Sequence, residues 1–307
     1  MRDVPFVDAH IHLWDLRAIH YPWLTPPFTD DGPNGSVEAI ARDYHVSDYR
    51  ADAAGWNVVG AVHVDAGADA PLALEETRWL EGLALSSGLP SGIVAFAALH
   101  EPGIEQLLEA QAAHPHVRGI RHIVNWHHEQ SRSYTLRDFT ADPDWECGFA
   151  LLGRYGLSFD LQAYPNQFSR LALIASRHPD IQIVINHMGM PVETDRHGPV
   201  QWLTGMRALA DRPNVAVKIS GAGFIHRAWT QESVRSYVLG TIDLFGPERC
   251  MFASDFPTDK LFGSFDHTLS AYAALIADFS ETERRAMWGG NANRIYRLGL
   301  DLEGTQA

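Results

Sequence analysis

Eight short apolar runs recur along the chain, and longer stretches with helical patterning fill the gaps between them. The runs are FVDAHIHL (6–13), WNVVGAVHV (56–64), GIVAFAAL (92–99), VRGIRHIV (117–124), LSFDLQAY (157–164), IQIVINHM (181–188), NVAVKIS (214–220) and RCMFASD (249–255). They are rich in Val, Ile and Phe and bounded by Gly, Pro or Asn, as strands buried on both faces are. Residues 71–88 and 143–156 carry helical patterns that close on Gly88 and Gly156, suited to a C-terminal cap. Residues 166–179 stop at Pro179, residues 232–246 precede the eighth run, and SETE at 280–283 is a capping box opening a helix. This alternation within 307 residues predicts an α/β fold, a (β/α)8 (TIM) barrel forming one domain over 1–307. An open doubly wound sheet fits less well, because no glycine-rich phosphate loop follows any run.

One segment breaks the rhythm. Residues 15–50, after the first strand, contain DLRAIHYPWLTPPFTDDGPNGS and little helical pattern. A connection this long is usually functional or mobile. Following the first strand, it is expected over the C-terminal mouth of the barrel as a lid or pocket wall. Trp14, Tyr21 and Trp23 are then candidate pocket liners, or else rings that only anchor the loop.

Composition narrows the partners. A formal net charge of -14 repels phosphate backbones and anionic membrane surfaces, so neither nucleic acid nor a membrane is expected. It does not exclude a small anionic substrate, because a local cluster of Arg and His can outweigh the global field. The two cysteines, Cys147 and Cys250, form no CxxC pair, so a reducing compartment is expected. No apolar run is long enough to span a bilayer, and the expected location is the cytoplasm. Association into a homo-oligomer is left open.

In such a barrel, chemistry collects where the strands end. The eight runs end with His10 and His12; His63 and Asp65; His100; Arg121, His122 and Asn125; Asp160, Gln162 and Tyr164; Asn186 and His187; Lys218 and Ser220; Ser254 and Asp255. His10 and His12 are two apart, so on a regular strand both face the barrel interior and can share one cation. The bland alternative is a pair of hydrogen-bonded core histidines. Asp8 would lie on the same face, holding a histidine or satisfying backbone near the strand start. His187 is either a turn residue before a glycine, or a third ligand or donor to substrate. Asp255 is either a turn-forming aspartate before Pro257, or a general base that takes a proton from water. Arg121 and His122 are adjacent, so only one should face the pocket. Arg121 would clamp a carboxylate, and His122 would donate to a carbonyl or hydroxyl. Lys218 is a charge in an apolar strand, there to hold an oxyanion or substrate carboxylate, or paired with Asp160. Tyr164 and Trp14 complete the candidate substrate-binding set. His63, Asp65 and His100 are weaker candidates, and the loop histidines His127, His128, His197 and His226 are expected to be solvated.

VDAHIHLW, GIRH, NHMG, VKISG, FASDFP and WGGNANRIY together resemble the amidohydrolase superfamily, in order from residue 7 to about 298. More narrowly, they are similar to its TIM-barrel lactonase branch, which opens sugar lactones and dicarboxylate lactones. The resemblance implies the barrel, hydrolysis of a cyclic ester and a catalytic Asp at the end of the eighth strand. His10, His12, His187 and Asp255 match those family positions, and Arg121 and His122 match positions that similar lactonases use for substrate. Members with two metals carry a Lys or Glu on the fourth strand and a His on the fifth. This chain has Arg121 and His122, then Asp160 and Gln162. The resemblance therefore implies one divalent metal, zinc, on His10, His12, His187 and Asp255, or none. Without metal, Asp255 alone would activate the water, and the three histidines would donate to the oxyanion. One rival is a zinc-dependent decarboxylase of an unsaturated acid on the same fold. Another is a barrel that binds a ligand without turnover. A glycosidase would need two facing carboxylates, which the fourth and seventh runs do not supply.

Overall fold

The computed structural model describes residues 1–303. All eight expected strands form: β1 (Phe6–Ile11), β2 (Val58–Val64), β3 (Gly92–Phe96), β4 (Val117–Arg121), β5 (Ser158–Leu161), β6 (Ile183–Ile185), β7 (Val215–Ile219) and β8 (Cys250–Phe252). They pair in parallel in chain order, which is the barrel that the alternation predicted. The ring closes just beyond β8. Asp255 N–H donates to the His10 carbonyl at 2.9 Å, and His12 N–H donates to the Phe256 carbonyl at 2.8 Å. Closure therefore sets the candidate site residues side by side through their own backbone.

Two apolar layers hold the barrel. The interior layer includes Val7, Ala9, Val62, Val64, Val94, Val184, Ala216 and Met251, plugged from one end by Ile295 and Tyr296. The opposite faces of the strands, including Ile11, Ile93, Ile120, Phe159, Ile185, Val217 and Phe252, pack under the surrounding helices. Those helices follow their patterns. Ala73–Ser87 ends on Gly88 and Pro143–Tyr155 on Gly156, both left-handed, and Ser280 and Glu283 form the expected capping box. Among the described residues, no helix is long and apolar enough to cross a membrane.

Strand β1 is not regular. Its register slips between Asp8 and Ile11. The slip explains why Val7 and Ala9 belong to the interior layer while Ile11 packs under the helices, since regular alternation would put all three on one face. Asp8 consequently does not hold an imidazole. It accepts from Tyr49 Oη at 2.9 Å, Ser254 N–H at 2.9 Å and His10 N–H at 3.3 Å. Burial pushes its carboxyl up to about 6 against those hydrogen bonds.

The segment after β1 leaves and returns through a narrow neck, an antiparallel bridge between Trp14 and Tyr44. Only single 3-10 turns (Pro22–Leu24, Glu38–Ile40) interrupt it before the helix Val46–Asp52. Its middle covers the C-terminal mouth of the barrel, as the sequence led one to expect.

Candidate active site

His10 and His12 end β1, His187 follows β6 and Asp255 follows β8. His10 Nε2 and His12 Nε2 lie 3.4 and 3.3 Å from Asp255 Oδ1, and the His10 and His187 rings are 4.8 Å apart. All four residues are at most 5% exposed. His187 and Asp255 hold positive φ, 54° and 58°, a strained region for non-glycine residues that concentrates at functional sites. Gly221 makes room for one of them, since a Cβ there would lie 2.8 Å from the His187 ring.

The protonation pattern follows from the partners. His12 Nδ1 sits 2.7 Å from the Val64 carbonyl, which can only accept, so Nδ1 carries a proton and Nε2 is turned toward the Asp255 carboxylate. His187 Nδ1 pairs with Ser220 Oγ at 3.0 Å. Burial, outweighing the Asp255 charge, lowers His187 to about 4. Burial and then the Lys218 charge take His10 well below the ordinary value. Burial raises the Asp255 carboxyl, but His187, His12 and Arg121 outweigh it and leave the net shift downward.

Neither oxygen of Asp255 and neither nitrogen of His10 has a hydrogen-bond partner, and all four atoms are buried. Such orphaned groups are costly unless something else meets them. One donor atom each from His10, His187 and Asp255 lie within 4.8 Å of one another. Imidazole nitrogens and a carboxylate converging without a proton donor between them fit a divalent cation. His12 touches the same carboxylate oxygen but stands outside that trio. Its orientation by a backbone carbonyl is the one a metal-bound histidine takes.

A family model for amidohydrolases matches residues 7–298. The chain belongs to the amidohydrolase family. This amidohydrolase is 41% identical over 303 residues to the uncharacterized protein y4mH of Sinorhizobium fredii, covering 97% of this chain and 100% of that one. It is 29% identical over 313 residues to L-fucono-1,5-lactonase of Burkholderia multivorans, covering 95% and 96%. Among solved structures, a Burkholderia multivorans amidohydrolase with bound zinc matches with a TM-score of 0.78 at 26% identity, covering 96% and 99%. Family and relatives make the chain an enzyme.

Above the His/Asp floor of the amidohydrolase site lies a cavity of about 390 Å3, lined by His12, His187, Asp255, Arg121, Gln162, Tyr134 and residues of the lid. Arg121, not His122, faces it. The Arg121 guanidinium is already matched: Nε donates to Asp65 Oδ2 at 3.2 Å, Nη1 to Gln162 Oε1 at 3.0 Å, and Nη2 to the Asp65 carbonyl. Its charge is paired with Asp65, so a substrate carboxylate would have to share it, through the one N–H that each of Nη1 and Nη2 keeps.

Four expected substrate contacts are made elsewhere. His122 turns outward, accepting from Leu99 N–H and Trp145 Nε1, and burial followed by the neighbouring His100 lowers it to about 3. Lys218 lies in the barrel interior, fully buried, 2.5 Å from Asp160, with Tyr296 donating to the same carboxylate. Its charge requires that pair, so the ion-pair reading holds. Tyr164 donates to the Arg132 carbonyl and lines an adjoining depression. Trp14 is fully buried, its Nε1 donating to the Arg42 carbonyl at 2.6 Å, and it anchors the lid beside His12. Of the expected rings Trp14, Tyr21 and Trp23, only Trp23 lines the cavity, while Tyr21 packs toward Glu76. His127 is buried against Asp195 at 2.9 Å and is not solvated. Tyr134, Phe28 and Phe224 line the cavity without having been expected there. Gln162 was visible only as a strand-end residue, and nothing local marks the other three.

Proposed function

We propose that this amidohydrolase opens a lactone, with Asp255 as the base that takes a proton from water. The observation carrying the reading is the Asp255 carboxylate at the cavity floor. Its Oδ1 is beside the His10 and His12 nitrogens, and its Oδ2 is buried and unpartnered. The likeness to L-fucono-1,5-lactonase supports the bond type. Oδ2 receives the proton as the water oxygen bonds to the lactone carbonyl carbon. When the tetrahedral intermediate collapses, the C–O ring bond breaks and the same carboxyl returns the proton to the departing ring oxygen. The product is an open hydroxy acid. His10, His187 and Asp255, with His12 beside them, would hold one divalent cation, for which zinc is the first candidate. Such an ion polarises a carbonyl and lowers the pKa of water. His12 is fixed in orientation by Val64, and Ser220 and Gly221 fix His187.

Asp255→Asn keeps the shape and removes the base. It should cut lactone hydrolysis by at least about a hundred-fold with an unchanged circular dichroism spectrum and melting temperature. Retention of most activity would remove Asp255 from this role. Metal analysis together with a carbon dioxide assay separates this reading from decarboxylation, which would release the gas from an unsaturated acid.

A further inference from the structure

We propose that the substrate is an uncharged lactone carrying a short apolar arm, which the lid encloses. The inference rests on the lactonase reading and adds the class of substrate.

The first argument is charge. Among the described residues lining the cavity, Arg121 is the only Arg or Lys, and its charge is already paired with Asp65 at 3.2 Å. Lys218 is sealed in the barrel against Asp160. Arg132 and Arg227 line the adjoining depression, not this cavity. A carboxylate on the substrate, away from the reacting carbonyl, would therefore lose its water without gaining an unmatched cation, and it would face Asp255 as well. That desolvation is expensive.

The second argument is the roof. Pro22, Trp23, Pro27, Phe28 and Val37 come from the lid, and Phe224 from the segment after β7. Trp23 commits its one polar atom, Nε1, to the Ala66 carbonyl at 2.7 Å, leaving the cavity a hydrocarbon ring. Tyr134 likewise spends its hydroxyl hydrogen on Asn34. The lid also gives the cavity Thr25, Thr29 and Asn34, where hydroxyls find partners, but against the rings and prolines hydroxyls would be buried without any, whereas alkyl or aryl groups gain from burial there. At about 390 Å3 the cavity is near the small end of ligand pockets, room for one ring and a short arm.

The test is a pH-indicator assay of the purified protein on six probes. These are δ-valerolactone, the same ring with propyl and pentyl arms at C5, glucono-1,5-lactone, and a δ-lactone-5-carboxylate beside its methyl ester. The expected result is kcat/KM rising roughly four-fold per methylene until the cavity is full. The methyl ester should exceed the free carboxylate by about a hundred-fold or more. Phe28→Ser and, separately, Phe224→Ser should lower kcat/KM for the pentyl lactone by a larger factor than for δ-valerolactone. If the carboxylate or the hydroxylated lactone is turned over best, or if arm length has no effect, the apolar-arm inference is overturned while the lactonase reading stands. If no lactone is opened, both fall together.

Discussion

Lys218 shows how one residue type can carry two opposite meanings. A lysine inside an apolar strand at the active end of a barrel suggests a substrate contact, yet here it closes a fully buried triad with Asp160 and Tyr296. Removing one partner of such a pair strands the other. Lys218→Met should lower the free energy of unfolding by about 3–5 kcal/mol, and adding Asp160→Leu should restore a large part of it. Urea denaturation of the two variants checks this. If Lys218→Met unfolds like the parent but loses substrate affinity, the substrate role returns. Arg121 carries the same lesson in milder form: it faces the cavity, but Asp65 and Gln162 had already claimed it. The orphaned nitrogens of His10 and oxygens of Asp255 are the reverse case, polar atoms in the interior with nothing in the chain to satisfy them.

The lid is the element on which access turns. Its ends meet at the Trp14–Tyr44 bridge, so residues 15–43 leave and re-enter at one place. At the tip, Tyr134 donates to Asn34 Oδ1 at 2.5 Å, tying the lid to the segment after β4. Trp23 ties it to the segment after β2. A hydrogen bond of this kind contributes about 1 kcal/mol net. Tyr134→Phe should therefore raise KM by roughly five-fold with kcat preserved, and should speed limited proteolysis within residues 26–36. Unchanged KM and unchanged proteolysis would show that the lid does not open at this latch.

For the molecule as a whole, buried titratable groups set the dependence of stability on pH. Burial, and then the Asp65 charge, push Glu76 from 4.5 up to about 8. The folded chain keeps a proton there that the unfolded chain releases above about 4.5. Stability from this group is thus complete below about 4.5 and is lost as pH rises toward about 8. The buried histidines His10, His63, His122 and His187 are lowered, so their contribution is present above about 6.5 and lost as pH falls. Between pH 7 and 8.5 the histidine contribution is flat, and Glu76→Gln should lose less stability than the parent across that interval in urea melts. Equal losses in the two proteins would dismiss Glu76 as a source. The barrel itself, and the placing of His10, His12, His187 and Asp255 at strand ends, were readable in the chain, because apolar runs and helical periodicity report burial and direction locally. The slip in β1, the positive φ at His187 and Asp255, the outward turn of His122 and the capture of Arg121 and Lys218 were not. Each depends on a partner supplied by a segment distant in the chain, and a local pattern says how deeply a side chain is buried but not what meets it there. The strand order and the ring of candidate groups thus belong to the sequence. Which of those groups stay free for chemistry was decided only when eight strands closed and brought their competitors within hydrogen-bonding distance.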